Sequence, residues 1–332
     1  MDDLAKRLRA ANPFAKTPLS PEAQQTLDDI MAGRRIPRST EDAASARPRR
    51  TVLPLIAMSS FALVTLVVAA VVVLRPQAAF AATPYPLPLN ATSATVQSLY
   101  DDLKKEVPMT SGSTSRRGAT WDGWYVQLDA DRPAATFIQP QTTTIAWQPD
   151  LSATSTITAG APLRPDGAAI EPLPADAPVP GSAIAKLTFA PGEFITPFLD
   201  APPGNEAGMR AYLDTYLAEG WPTDTTPTAG DYLDAVSYLM QFWTLDADAQ
   251  RAALAVILSA PGVNVAGATT DRDGRSGLVL QFEPTEADPS HTAQLVIDTD
   301  SWRLLALEHL SVDGIPEFKI PAGSVTDYTL WR

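Results

Sequence analysis

The sequence predicts an α+β protein: a single transmembrane helix plus an extracytoplasmic domain of antiparallel sheet with helices packed on one face. Three observations predict it. Thr51 to Leu74 is a run of 24 residues without a charge. Stretches near both ends of the remaining chain alternate apolar and polar residues with a period of two, and three stretches between them carry apolar residues at helical spacing.

At about 1.5 Å per helical residue the first run covers roughly the 30 Å of a bilayer's hydrocarbon core. Pro54 falls near its start, where a helix loses least by lacking an N–H. A buried core helix seldom stays apolar on every face, and a cleavable signal has a shorter apolar region, roughly 7 to 15 residues, behind a short basic start. Ala79-Phe80-Ala81 nevertheless offers a small-x-small pattern, so cleavage before Ala82 stands as an alternative to a permanent anchor. Arg47, Arg49 and Arg50 abut the start of the run and Arg34, Arg35 and Arg38 lie just upstream, whereas only Arg75 follows before Lys104. Basic residues beside a span stay cytoplasmic, which puts the amino end inside and residues 75–332 outside. The expected layout is a largely disordered cytoplasmic tail over 1–50, the span over 51–74, a Pro-rich stalk over 75–91 and the exterior domain over 92–332.

Composition follows the same division. The first fifty residues carry 10 Lys+Arg against 7 Asp+Glu, and the rest 15 against 31, a net of −16. An exterior this acidic repels nucleic acid and anionic surfaces. The absence of cysteine excludes disulfides, thiol nucleophiles and thiolate metal sites. Arg outnumbers Lys 19 to 6, which suggests a high-GC bacterial genome.

In the tail, Ser20-Pro21-Glu22 reads as a helix start, and Leu27, Ile30 and Met31 give that helix one small apolar face before Gly33. It serves either as part of a membrane-proximal stop signal or as a docking helix for a cytoplasmic partner. Beyond the span, the prolines of Pro76 to Leu89 predict an extended stalk. Thr92 to Val107 has Val96, Leu99, Tyr100, Leu103 and Val107 on one helical face. From Ala119 the period becomes two: Trp124, Val126 and Leu128, then Thr136 to Gln139 and Thr143 to Trp147, read as a meander. Trp121, Trp124 and Trp147 either line an apolar pocket or are plain core. A strand around Ala185 to Phe189 follows inside a proline-rich segment.

Three helices come next: Glu206 to Glu219, stopped by Gly220, then Asp231 to Trp243, and Ala247 to Ser259 behind the N-cap Asp246. Each is read as carrying one apolar stripe. The strands Val263 to Gly267, Gly277 to Phe282, Thr292 to Asp298, Trp302 to Leu310 and Val325 to Trp331 close the chain, joined by hairpin turns such as Asp271-Arg272-Asp273-Gly274. They supply the surface that the helical stripes need.

Motifs for chemistry are sparse. His291 and His309 are the only histidines, and neither has metal-ligand or base–nucleophile spacing. Asp271-x-Asp273-Gly274 matches part of a calcium loop but lacks the distal Glu, so a hairpin turn is the better reading. Asn90-Ala91-Thr92 fits the N-glycosylation pattern by chance. There is no Walker loop, nucleophile elbow or zincin motif. No catalytic, cofactor-binding or metal residue is assigned, and the chain is not read as an enzyme.

Pro261-Gly262-Val263, Asp273-Gly274-Arg275-Ser276-Gly277, and Leu295-Val296-Ile297-Asp298 leading to Leu304-Leu305-Ala306 resemble the carboxyl-terminal pattern of an uncharacterised actinobacterial family of single-pass membrane proteins. Ala79 to Pro84 is similar too. Relatives are often encoded near extracytoplasmic-function sigma factors, so the resemblance implies a signalling context and carries over no catalytic residue. The expected partners are the lipid bilayer through Thr51 to Leu74, a cytoplasmic regulatory protein at the tail, and an apolar ligand of the exterior binding or sensing domain. Two alternatives stand beside it: an anchored carrier for an apolar ligand, and a carboxylate-based hydrolase.

Overall fold

A computed structural model describes residues 81–107, 113–126, 137–220, 226–284 and 290–332. Thr51 to Leu74 and the tail before it lie outside these residues, and among the described residues no helix is long and apolar enough to cross a membrane.

The described elements are α1 (Val96–Leu103), β1 (Arg116–Arg117), β2 (Ala119–Tyr125), β3 (Gln141–Trp147), β4 (Ala153–Ala159), β5 (Ala183–Phe189), α2 (Glu206–Gly220) and α3 (Ala229–Leu239). They continue with β6 (Trp243–Thr244), α4 (Ala247–Leu258), β7 (Val263–Thr270), β8 (Ser276–Phe282), β9 (His291–Asp298), β10 (Arg303–Ser311) and β11 (Val325–Trp331). Two antiparallel meanders, β2 to β5 and β7 to β11, fuse where β11 pairs with β2, so the large sheet runs β5-β4-β3-β2-β11-β10-β9-β8-β7. The last strand of the chain is thus a central strand, and its loss would cut the sheet in two. The fold is α+β, with the helices on one face of this sheet.

The helices begin as their caps dictate. Thr228 and Asp231 form a reciprocal capping box at α3, Thr228 N donating to Asp231 Oδ2 at 2.7 Å and Asp231 N to Thr228 Oγ1 at 3.3 Å. Asp231 is therefore inside the first turn rather than at its start. α3 also ends at Leu239, not Trp243, because Trp243 is taken by β6, paired with Arg117 of β1. Its indole donates to Phe198 O at 2.9 Å and meets Trp147 edge-on at 5.4 Å. α1 is shorter than its periodicity suggested, and residues 137–140 make a single bridge, Ile138 to Leu163, instead of a strand.

α4 departs furthest from the one-stripe expectation. Ala252 to Ile257 are all fully buried, because α4 touches α1, α2 and α3 on one side and β10 on the other. Each fully buried Leu, Val or Ile here contributes about 1.5 to 3 kcal/mol relative to exposure. Gln250 is the buried polar residue of this helix: its Nε2 donates to Leu245 O at 3.1 Å and its Oε1 accepts from Leu304 N at 3.1 Å. That N–H is free because a bulge interrupts the β9–β10 ladder between Leu304 and Ala306. The carbonyl of Leu305, in the same bulge, accepts from Arg275 Nη2 at 2.9 Å.

Strands β8 to β11 are buried on both faces. Leu295 and Ile297 pack toward the helices, while Val296 joins Val279, Ala306, Val325 and Tyr328 in a second apolar cluster on the far face. Trp121 and Trp147 belong to the first cluster and Trp124 to the second, so the three tryptophans are core on opposite faces rather than the lining of one pocket.

Candidate functional site

The far face is covered by residues 81–90, the part of the expected stalk that lies among the described residues. They are extended, as their prolines require, yet lie against the sheet as a strap. Pro84 is buried, and Leu87 is buried in the far-face cluster with Ala82 against it. Asn90 exchanges both backbone hydrogen bonds with Ala268 of β7, each 2.8 Å, and Thr269 Oγ1 donates to Pro88 O at 2.7 Å. The approach is close enough that a Cβ on Gly267 would sit 2.6 Å from Asn90 O, which explains a glycine within β7.

The strap is latched by a charge. The β7–β8 turn is built by Asp271, whose Oδ1 accepts from the N–H groups of Asp273 (3.0 Å) and Arg275 (2.8 Å), with Gly274 at φ +79°. This carboxylate is spent on its own turn and on Arg275 Nε at 2.7 Å, so the stretch is the hairpin turn. The turn places Arg272 over the far face. Its Nη2 donates to Tyr85 O at 3.0 Å and to Glu308 Oε2 at 2.8 Å, and its guanidinium lies 4.9 Å from the centre of the Tyr328 ring. Nε and Oε1 are also 2.8 Å apart but are too poorly aligned for a hydrogen bond.

Glu308 is completely buried. Burial pushes its carboxyl above the usual carboxylate range, Arg272 pulls it back, and Asp327 and Asp271 raise it further. Burial likewise pushes the Tyr328 phenol up to about 12. β pairing sets Glu308 opposite Gln294, which in turn faces Gln281 on β8, so three polar residues line up across neighbouring strands. One cation thus joins the segment nearest the expected membrane anchor to the middle of the sheet.

Two other groupings are chemically quieter. An open hollow of about 440 Å³ on the outer helices is lined by Lys104, Glu206, Arg210 and Asp214. Lys104 pairs with Glu206 at 2.6 Å, Tyr100 OH also donates to Glu206 at 3.1 Å, and Tyr232 OH donates to Asp214 at 2.6 Å while accepting from Arg210 at 3.2 Å. Two cations and two carboxylates leave little net field. The two histidines, on consecutive strands, come together because β9 and β10 are paired: their rings lie 6.4 Å apart, and His309 Nδ1 is 2.6 Å from Asp327 on β11. Among the described residues no cluster of three or more His, Cys, Asp or Glu is placed to hold a metal ion.

No family model, no curated protein and no solved structure matches the chain. Sequence reading singled out neither Glu308 nor Arg272. The signal available was Glu308 standing at an inward position between Leu307 and Leu310 in a strand buried on both faces.

Proposed function

We propose that this chain is a single-pass membrane protein that holds its α+β domain outside the cell as a binding or sensing domain, with residues 1–50 in the cytoplasm. The observation that carries the reading is the strap. The first described residues after the candidate span run directly onto the sheet and are bonded to β7 and to Arg272. A strap fixed in this way to β7 and, through Arg272, to Glu308 suits a sensor better than a module on a free stalk. The charge asymmetry about the span and the resemblance to sigma-factor-associated single-pass proteins support the same orientation.

An anchored carrier for an apolar ligand needs empty apolar volume between sheet and helices. That interface is occupied by Leu254, Val256, Ile257, Leu280, Leu295 and Ile297, all at 0% exposure. A carboxylate hydrolase needs two acids free to face a substrate, and Glu206 and Asp214 in the open hollow are each already bonded.

Single cysteines introduced at Ser39 and at the exposed Ser182 test the reading, since the chain has none of its own. A membrane-impermeant maleimide applied to intact cells is expected to label only the second. Labelling of Ser39→Cys alone would invert the orientation. An intact mass beginning at Ala82 would make the protein secreted, with most of its strap retained.

A further inference from the structure

The segment between β5 and α2 alternates like a strand although it pairs with none. Phe194, Thr196 and Phe198 are buried, while Glu193, Ile195, Pro197 and Leu199 are exposed. Ile195 is 73% exposed and Leu199 53%. Their exposure is not a matter of looseness. Phe194 N donates to Leu151 O at 3.0 Å, Phe198 N to Thr196 Oγ1 at 3.1 Å, Trp243 Nε1 to Phe198 O at 2.9 Å, and Tyr212 OH to Asp200 O at 2.8 Å. Beneath the ridge Phe194 packs on Phe189 at 5.5 Å, and Phe198 on Tyr216 at 4.8 Å. Two aliphatic side chains are thus held outward on a backbone already fixed, so a partner that covers them pays no ordering cost there.

The ridge segment itself carries only negative charge, while Arg117 lies over the Trp147 and Trp243 rings, 5.0 and 5.1 Å from their centres. From Pro191 to Met209 the chain has Glu193, Asp200 and Glu206 and no Lys or Arg. Glu206 is neutralised by Lys104, whereas Glu193, whose Oε2 accepts from Ala190 N at 2.7 Å, and Asp200 flank the aliphatics at the two ends of the ridge. An anionic lipid surface or a second copy of this acidic domain would meet like charge.

We propose that the ridge formed by Glu193, Ile195, Leu199 and Asp200 docks an apolar peptide segment of another protein whose aliphatic residues are flanked by Lys or Arg. The partner's aliphatics cover Ile195 and Leu199, and its cations meet the two carboxylates at the rim. This names the partner class for the binding domain proposed above and rests on that reading only for where the partner resides.

The test uses the full-length chain in a non-ionic detergent and a fluorescent amphipathic leucine–lysine peptide, with a leucine–glutamate peptide of the same pattern as the opposing probe. The lysine peptide is expected to bind, to weaken about tenfold in I195S/L199S, and to weaken about threefold in E193Q/D200N and at raised salt. Both variants change exposed positions and should melt as the parent does. Equal binding of the two peptides, or lysine-peptide binding unchanged in I195S/L199S, overturns the proposal. So does a result in which I195S/L199S abolishes self-association in sedimentation, or attachment to phosphatidylcholine vesicles, and leaves peptide binding intact. Because the titration does not depend on orientation, its failure is distinct from a failure of the maleimide labelling.

Discussion

Arg272 Nη2 donates to Glu308 Oε2 at 2.8 Å across the far face of the sheet, and the carboxylate it meets has no exposure to solvent. Removing one member of such a pair leaves the other buried and uncompensated, which costs about 3 to 5 kcal/mol. Arg272→Ala should therefore lower stability by that order in urea melts. Replacing both, as Arg272→Met with Glu308→Leu, should recover most of the loss. Equal damage from the double variant would mean that the bond to Tyr85 O carries the effect.

The pH dependence follows from the direction of the shift at Glu308. Its folded value lies above its unfolded one, so between the two the folded state holds the proton more tightly and stability at this group falls as pH rises. Arg272→Ala removes the opposing pull, so its stability should drop more steeply than the parent's from the ordinary carboxylate range upward. Glu308→Gln should abolish the difference. Asp246 carries the opposite sign. Burial raises its carboxyl, but the N–H groups of Ala249 and Thr114 outweigh it and the net value is lowered. Its contribution is present above the unfolded value and is lost as pH falls through the folded one, so Asp246→Ala should cost about 1 kcal/mol at neutral pH and progressively less in acid.

Gly267 fixes how near the strap can come. Gly267→Val would force the backbone of Asn90 away from β7, since even a single Cβ meets Asn90 O at 2.6 Å. The amide protons of Asn90 and Ala268, bonded to each other's carbonyls, should then exchange at least tenfold faster, a local opening made easier by about 1.4 kcal/mol or more. Amides in α4 should be unaffected. Unchanged exchange at Asn90 would show that the strap keeps its seat without the close approach at Gly267.

Local patterns made much of this fold legible in the sequence. The hairpin sequence from β7 to β11 follows from period-two alternation and turn residues, and Val325–Trp331 has the bounds its pattern suggested. Asp246 marked the start of α4 because a capping carboxylate acts within three residues of itself. β4 escaped notice: its ATSTITA offers one large apolar side chain, and Thr and Ser are equally at home in turns.

What only the tertiary structure decided involves partners distant in the chain. No local pattern says that β11 will find β2, because that pairing joins the two meanders across the whole domain. α4 is buried from Ala252 to Leu258 since α1, α2 and α3 close over it, a consequence of neighbours and not of its own periodicity. Prolines at 84, 86 and 88 require an extended backbone and cannot say whether it stands off the domain or lies on it. That was settled by a glycine in β7, an arginine in a turn and a glutamate in β10, between 177 and 223 positions away in the chain from Tyr85 to Asn90. Sequence determines what each segment is able to form within a few residues, whereas buried charge and close backbone contact are properties of the assembled sheet.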